Sequence, residues 1–465
     1  MFKQSVLVAG TRVIDKGMSL AIVLVLSRHF GEQGMGEFFY FFSLASLFTP
    51  FMDVSNGMTL LQRWHHLEPV ARRLLLTQLI ILKCALGVIA IQLAVAGDAL
   101  NHWGNSKPLA VCAAFLAIFL DDISELLRRP AHAQGKYALE TTLPLVSRLI
   151  QLCAVLALLN RMSNGFQVIY IYAAANTVEA LASIYGSAGC LPTTLHGARK
   201  RDWWEIVTNG APFAMSSLFC MASLHFDAVI LGHYSYKQVG AYSAATRIIM
   251  VMNVLNGGIC HALFPKLIKA KADNDPGHTG WLIGGTLRGF IILFGGISIG
   301  GAIVGPHLMA IIYGDKFPDT GTVFRMLSPI ILLSAFYSLL GQCLEILGEQ
   351  AKVMRVYGIS AVTNIAGNLL LIPSYGMYGS AVATIVSSVI TVVLLFIMIY
   401  KNEHVVMTRC GLGRAVIFLG LLTILYIPLI LLTPWIAVPL GAVIFAALLL
   451  PFRRYWLAGM GRMAE

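Results

Sequence analysis

Arg12, Asp15 and Lys16 share a five-residue window in a run that otherwise suits lipid, flanked by SVLVA and AIVLVLS. On a helix, spacings of i,i+3 and i,i+4 bring all three to one face. Asp15 neutralises one cation, and one positive charge is left over. Eleven residues separate Lys16 from Arg28, which is roughly 16–18 Å of helix at 1.5 Å per residue. That is too short to cross the hydrocarbon, so Lys16 starts near mid-depth and Arg12 lies one turn lower. Snorkelling moves a head group only part of the way to water. A Lys or Arg facing lipid at the centre costs about 2.5–3.5 kcal/mol or more. The triplet is therefore expected to face a watery cavity, where a surplus cation binds an anion.

Lys83, Arg148, Arg247 and Arg288 each fall about eight or nine residues inside an apolar span. Guanidinium forks match phosphate oxygens, so these four, with Arg12 and Lys16, make six candidate cations for gripping a phosphate-bearing headgroup. The acids at comparable depth are Asp15, Asp53, Glu179 and Asp227. They could carry a coupling ion, or pair with the cations and lock helices together. Four acids cannot absorb six cations. Asp121, Asp122 and Glu125 precede Arg128 and Arg129 and read as interfacial, as do Glu345 and Arg325. The eight cysteines are scattered without a C-x-x-C, and the twelve histidines show no H-E-x-x-H. No metal site, disulfide or cofactor is expected.

The elements that must position these charges are membrane helices. The chain has 465 residues, 57% hydrophobic and 12% charged, with mean hydropathy +0.76. Soluble domains carry about 25% charged residues. The fold class is an all-α polytopic membrane protein. Fourteen windows long enough to span run from 5–28 to 435–452. The charged N-terminal run does not read as a cleavable signal. Loops on one side hold 21 Lys and Arg and those on the other hold five. By the positive-inside rule the rich side, with both termini, is cytoplasmic. The net charge of +11 sits mostly in these loops, so it does not imply a nucleic-acid partner. Outward loops such as NRMSNG, HYSYKQ, PSYGMYG and TPW are short. They leave no room for an acceptor domain, which argues against an enzyme.

The block RHFGEQGMGEFFYF (28–41) parallels GHYSYKQVGAYSAA (232–245) at a constant offset of 204. His29 aligns with His233, Phe30 with Tyr234, Gly36 with Gly240 and Phe38 with Tyr242. Both blocks follow an odd-numbered span, so the repeat is parallel, with its pseudo-twofold along the membrane normal. The expected organisation is an N-lobe of six helices (1–195), a C-lobe of six (196–405) and an appended pair (406–465). A substrate site near the midplane between halves is the usual consequence. Pro50, Pro144 and Pro212 bend helices where neighbours or water satisfy the backbone. GGISIGG (295–301) offers small-residue helix packing.

FAMSSLFCMASLHFDAVILGHYSYKQVGAYSAATRI (213–248) resembles the seventh-helix region of Wzx-type polysaccharide flippases. These belong to the multidrug/oligosaccharidyl-lipid/polysaccharide exporter superfamily. LSRHFGEQGMGEF (26–38), IYGDKFPDTGTVFRMLSPI (312–330) and NLLLIPSYGMYGSAVAT (368–384) are similar to its other blocks. The resemblance covers roughly residues 1–400. It implies two six-helix lobes around a cationic cavity. It also implies alternating-access transfer of an undecaprenyl-pyrophosphate-linked oligosaccharide from the cytoplasmic to the periplasmic leaflet, coupled to H⁺ or Na⁺. In the related lipid II flippases, cations of the first and eighth helices face the cavity, and Arg12, Lys16 and Arg247 occupy comparable places. The implied setting is the bacterial inner membrane. The implied partners are the lipid-linked glycan, membrane lipids, a polysaccharide polymerase and a chain-length regulator. Flippases of this type often have twelve spans, so the last two are a departure. The alternatives are a multidrug or cation antiporter of the same fold, using Asp15, Asp53 or Asp227, and a lipid II flippase.

Overall fold

The computed structural model describes residues 2–55, 68–101, 107–133, 137–187, 200–402 and 412–460. Among the described residues the chain is helical with no strand. The first helical stretch, Phe2–Phe48, has 47 residues, which as one straight rod would measure about 70 Å. It turns instead at Gly31, whose φ of 66° lies in the left-handed region that glycine occupies without a Cβ clash. The result is α1 (2–30) and α2 (32–48). Gln350–Tyr400 divides the same way at Gly376, φ 55°, into α12 (350–375) and α13 (377–400).

Between these hairpins lie α3 (Pro69–Asn101), α4 (Pro108–Ala133), α5 (Tyr137–Leu158), α6 (Val168–Ser187), α7 (Lys200–Tyr234), α8 (Tyr236–Ala272), α9 (Pro276–Tyr313), α10 (Thr320–Leu327) and α11 (Pro329–Leu347). Two more follow, α14 (Leu412–Tyr426) and α15 (Pro434–Met460). With α10 and α11 counted as one broken span, the helices match the fourteen predicted. Seven of the described helical stretches are long and apolar enough to cross a membrane by length and composition alone. The chain is a multi-pass membrane protein.

Two predicted spans differ in detail. The second, read as 37–61, ends as an α-helix at Phe48 and continues as a 3₁₀ segment, Thr49–Ser55. Pro50 cannot donate to the preceding turn and crowds it. The tenth, read as 323–347, breaks at Ser328 because Pro329 opens α11 at a position where its missing N–H costs nothing.

The chain divides into two compact units, Met1–Gly240 and Ala241–Glu465. In the first, α4 packs on α3 and α6, α5 on α6, and the α1–α2 hairpin on α4, α5 and α7. In the second, α9 is the common element, in contact with α10, α11, α14 and α15. The expected role of GGISIGG is seen here. A Cβ on Gly296 would lie 2.2 Å from the Phe445 ring, and one on Gly295 would lie 3.2 Å from Leu419. Phe445 and Leu419 come from the appended helices. Phe418, Leu422, Tyr426 and Leu429 complete that seam against Ile292 and Val304. Gly296→Leu should evict Phe445 and cost about 1–3 kcal/mol of overpacking. A lowered thermal midpoint, with early protease cleavage before α15, is the expected readout.

Candidate functional site

α1 carries Asp15 against α5. Asp15 Oδ1 accepts from Arg148 Nε at 3.0 Å. The guanidinium is held a second time, Nη1 donating to Gln151 Oε1 at 2.8 Å. Arg148 and Gln151 are i,i+3 neighbours, so one face of α5 supplies both. Gln151 Nε2 then donates to Asn176 Oδ1 of α6 at 2.8 Å. Asn176 Nδ2 ends the chain on the Ala117 carbonyl of α4, also at 2.8 Å. Four helices are thus tied by a relay that diverges from Arg148, which donates to Asp15 on one side and through Gln151 and Asn176 toward α4 on the other. Its ionic end is part-open, with Arg148 21% and Asp15 18% exposed. Its amide end is buried.

The other charges of this unit fall into pairs. Lys83 Nζ reaches Asp122 Oδ2 at 2.7 Å, joining α3 to α4. Arg128 Nη1 donates to Glu179 Oε1 at 2.6 Å, with the side chains 8% and 3% exposed, and reaches Ser183 Oγ at 3.4 Å. Arg129 pairs with Glu125 one turn away. Two interfacial assignments therefore change. Asp122 is the counter-ion of a membrane-depth lysine, and Arg128, grouped with loop cations, is buried. Depth counting carries the missed signal. Lys83 lies fourteen residues after the start of α3 and Asp122 eleven before the end of α4, similar heights on successive helices of opposite sense. Gln151 and Asn176 gave no such signal, since neutral amides do not stand out in an apolar run.

Arg12 and Lys16 lie on α1 and Asp53 in the 3₁₀ segment, with their side chains outside the described residues. Asp227 of α7 is buried and accepts the Ala228 N–H at 2.7 Å. Arg247 of α8 and Arg288 of α9 are half-buried in the second unit, where Arg247 sits within electrostatic reach of Tyr313. That unit also holds a neutral polar strip. Asn368 donates to Asn364 at 3.0 Å, Asn364 reaches Thr384 at 3.3 Å, and Thr384 meets the Tyr242 hydroxyl at 3.1 Å. The structure brings Asp15 and Arg148 together, and separately Lys83 with Asp122 and Glu179 with Arg128.

The repeated hairpins touch one another. A Cβ on Gly36 would fall 1.6 Å from the Tyr236 carbonyl oxygen, and one on Gly240 would fall 1.9 Å from that of Glu32. The offset of 204 carries Glu32 to Tyr236 and Gly36 to Gly240. Each glycine therefore meets the counterpart of the residue that its own counterpart meets, the pattern a twofold produces. Lys237 Nζ sits 3.7 Å from Glu32 Oε2 beside this contact. Gly165 makes a third backbone approach, to the Gly34 carbonyl. Lys107 braces α2 from the side, with its Nζ 3.3 Å from Glu37 and 4.5 Å above the Phe166 ring.

A family model described as polysaccharide biosynthesis protein matches residues 2–271. A probable low-salt glycan biosynthesis flippase, Agl15 of Haloferax volcanii, is 25% identical over 169 residues, 36% of this chain and 36% of that protein. The chain thus aligns with about a third of the length of that relative. Among solved structures, the lipid II flippase MurJ in its inward closed conformation superposes with a TM-score of 0.79 at 10% identity, covering 98% of this chain and 99% of that one. An inward-facing multidrug resistance MATE family transporter of the MOP superfamily gives 0.65 at 14% identity, covering 83% and 94%. At these identities the likeness is one of fold.

Proposed function

The chain belongs to the polysaccharide biosynthesis protein family, whose model covers more than half of it, and on that premise we propose that it is a flippase for a polyprenyl-pyrophosphate-linked oligosaccharide. It moves the headgroup from the cytoplasmic to the periplasmic leaflet of the bacterial inner membrane by alternating access, with both termini cytoplasmic and no bond made or broken. The observation that carries this reading is the charge set of α1: two cations and one acid in a membrane helix, the acid engaged by Arg148 of α5. A pyrophosphate costs far more than its sugar to draw through hydrocarbon, and charge-assisted donors at depth offset that cost. The cations assigned to headgroup binding are Arg12, Lys16 and Arg247, and after them Arg148, Arg288 and Lys83. The polyprenyl tail stays in lipid. The Haloferax volcanii relative is likewise described as a probable glycan biosynthesis flippase.

Arg12→Glu and Arg247→Glu should each abolish polysaccharide export at normal protein level, with lipid-linked oligosaccharide accumulating inside. Wild-type export from both variants would end this assignment. One observation favours the antiporter alternative. Lys83 and Arg148 are paired with acids, so two of the six interior cations are neutralised locally. A deletion strain that exports normally but becomes drug-sensitive would decide for that alternative.

A further inference from the structure

We propose that Arg148 is a shared guanidinium, held by Asp15 when the site is empty and by the substrate's pyrophosphate when it is full, with Gln151 and Asn176 as positioning residues. The proposal rests on the flippase reading above and adds the order in which its charges change partners.

Three interhelical ion pairs lie at membrane depth among the described residues of the first unit. In Arg128–Glu179 both side chains are sealed, and in Lys83–Asp122 the lysine is sealed. Only in Asp15–Arg148 are both partners part-open, so only there can an anion approach without dismantling a helix contact. Arginine carries five N–H donors in a fixed fork. Arg148 commits Nε to Asp15 and Nη1 to Gln151, while Nη2 has no partner among the described residues. An incoming phosphate oxygen can start on Nη2 and finish on Nε, the edge that Asp15 vacates.

The choice of second partner supports exchange over a permanent lock. Gln151 holds the guanidinium by direction alone, without charge. Its amide is itself held by Asn176, which is fixed to the Ala117 carbonyl. The relay keeps Arg148 aimed while its counter-ion changes. An empty site then never exposes a lone guanidinium at membrane depth, which would be costly. The displaced carboxylate is not stranded either, since Asp15 stands three residues from Arg12 and next to Lys16 on its own helix. Asp121 and Tyr172 are the other groups that act electrostatically on Arg148, and both stay in place. A pyrophosphate outcompetes one carboxylate because it brings more charge and several acceptor oxygens to the same fork.

The test is equilibrium binding of farnesyl pyrophosphate to the purified full-length chain in detergent, with inorganic pyrophosphate and farnesol in parallel. Asp15→Asn keeps an acceptor for Nε but removes the competing charge, and should bind farnesyl pyrophosphate about tenfold more tightly, a change of about 1.4 kcal/mol. Structural damage does not produce such a gain. Gln151→Glu adds a second competitor and should bind about tenfold more weakly. Parallel shifts with inorganic pyrophosphate, and none with farnesol, place the effect on the phosphate. A wild type that binds while Asp15→Asn binds no tighter overturns the exchange alone. A wild type that binds neither pyrophosphate overturns the flippase reading and the exchange with it. Should Asp15→Asn not be recovered folded, Gln151→Glu decides against Gln151→Ala. Equal affinities of those two overturn the proposal, since the added charge separates them.

Discussion

Gly36→Ala and Gly240→Ala should each destabilise the chain severely, and the double variant should be little worse than either one. The added Cβ at position 36 or 240 lands 1.6 Å or 1.9 Å from a backbone carbonyl oxygen. A carbonyl cannot rotate away as a side-chain tip can, so the two hairpins must separate. Forced separation of packed elements costs about 1–3 kcal/mol and sometimes more. Once one methyl has pried the hairpins apart, the other enters the space already opened. The double-mutant cycle should therefore show a coupling of about 1–2 kcal/mol, as expected for positions sharing one contact. Thermal unfolding in detergent, followed by intrinsic fluorescence, measures all three. Gly258→Ala is the control, because nothing lies within 4 Å of the Cβ it would add. Additive losses at 36 and 240, or losses no larger than at 258, would mean that the reciprocal contact is not what holds the hairpins.

The second large effect is expected at Arg128. Arg128→Ala strands Glu179, 3% exposed and 2.6 Å from its partner, in the interior of the first unit. Breaking a buried pair from one side costs about 3–5 kcal/mol, because the surviving charge is left uncompensated. The double variant Arg128→Met, Glu179→Leu removes both charges at similar volume. It should recover most of the loss, since buried pairs replaced by apolar residues are often neutral in stability. Folded yield and thermal midpoint report the result. A single variant as stable as wild type, or a double variant as poor as the single, would show that Arg128 and Glu179 do not depend on each other. Transport measured on the double variant then separates a structural pair from a functional one.

Several features were legible before any coordinates. Each span announces itself locally, because the bilayer demands about 20 apolar residues whatever the neighbours are. The helix count followed from that. Where it slipped, at Pro50 and Pro329, the error was in how a span is broken and not in whether it exists. The offset of 204 between the hairpins was legible too, and the structure turned it into a physical contact. Arg12, Asp15 and Lys16 stood out because three charges in one apolar run are rare.

What the residue order determined by itself was the membrane class, the number of crossings, the duplicated hairpin and the presence of charges that hydrocarbon would not tolerate. Tertiary structure alone decided the partners: Asp15 with Arg148, Lys83 with Asp122, Arg128 with Glu179, and the amides that tether Arg148. The reason is one of range. Hydropathy and helical spacing are properties of neighbours along the chain, whereas a buried charge can be satisfied from any adjacent helix at its own depth. Only packing says which helices are adjacent.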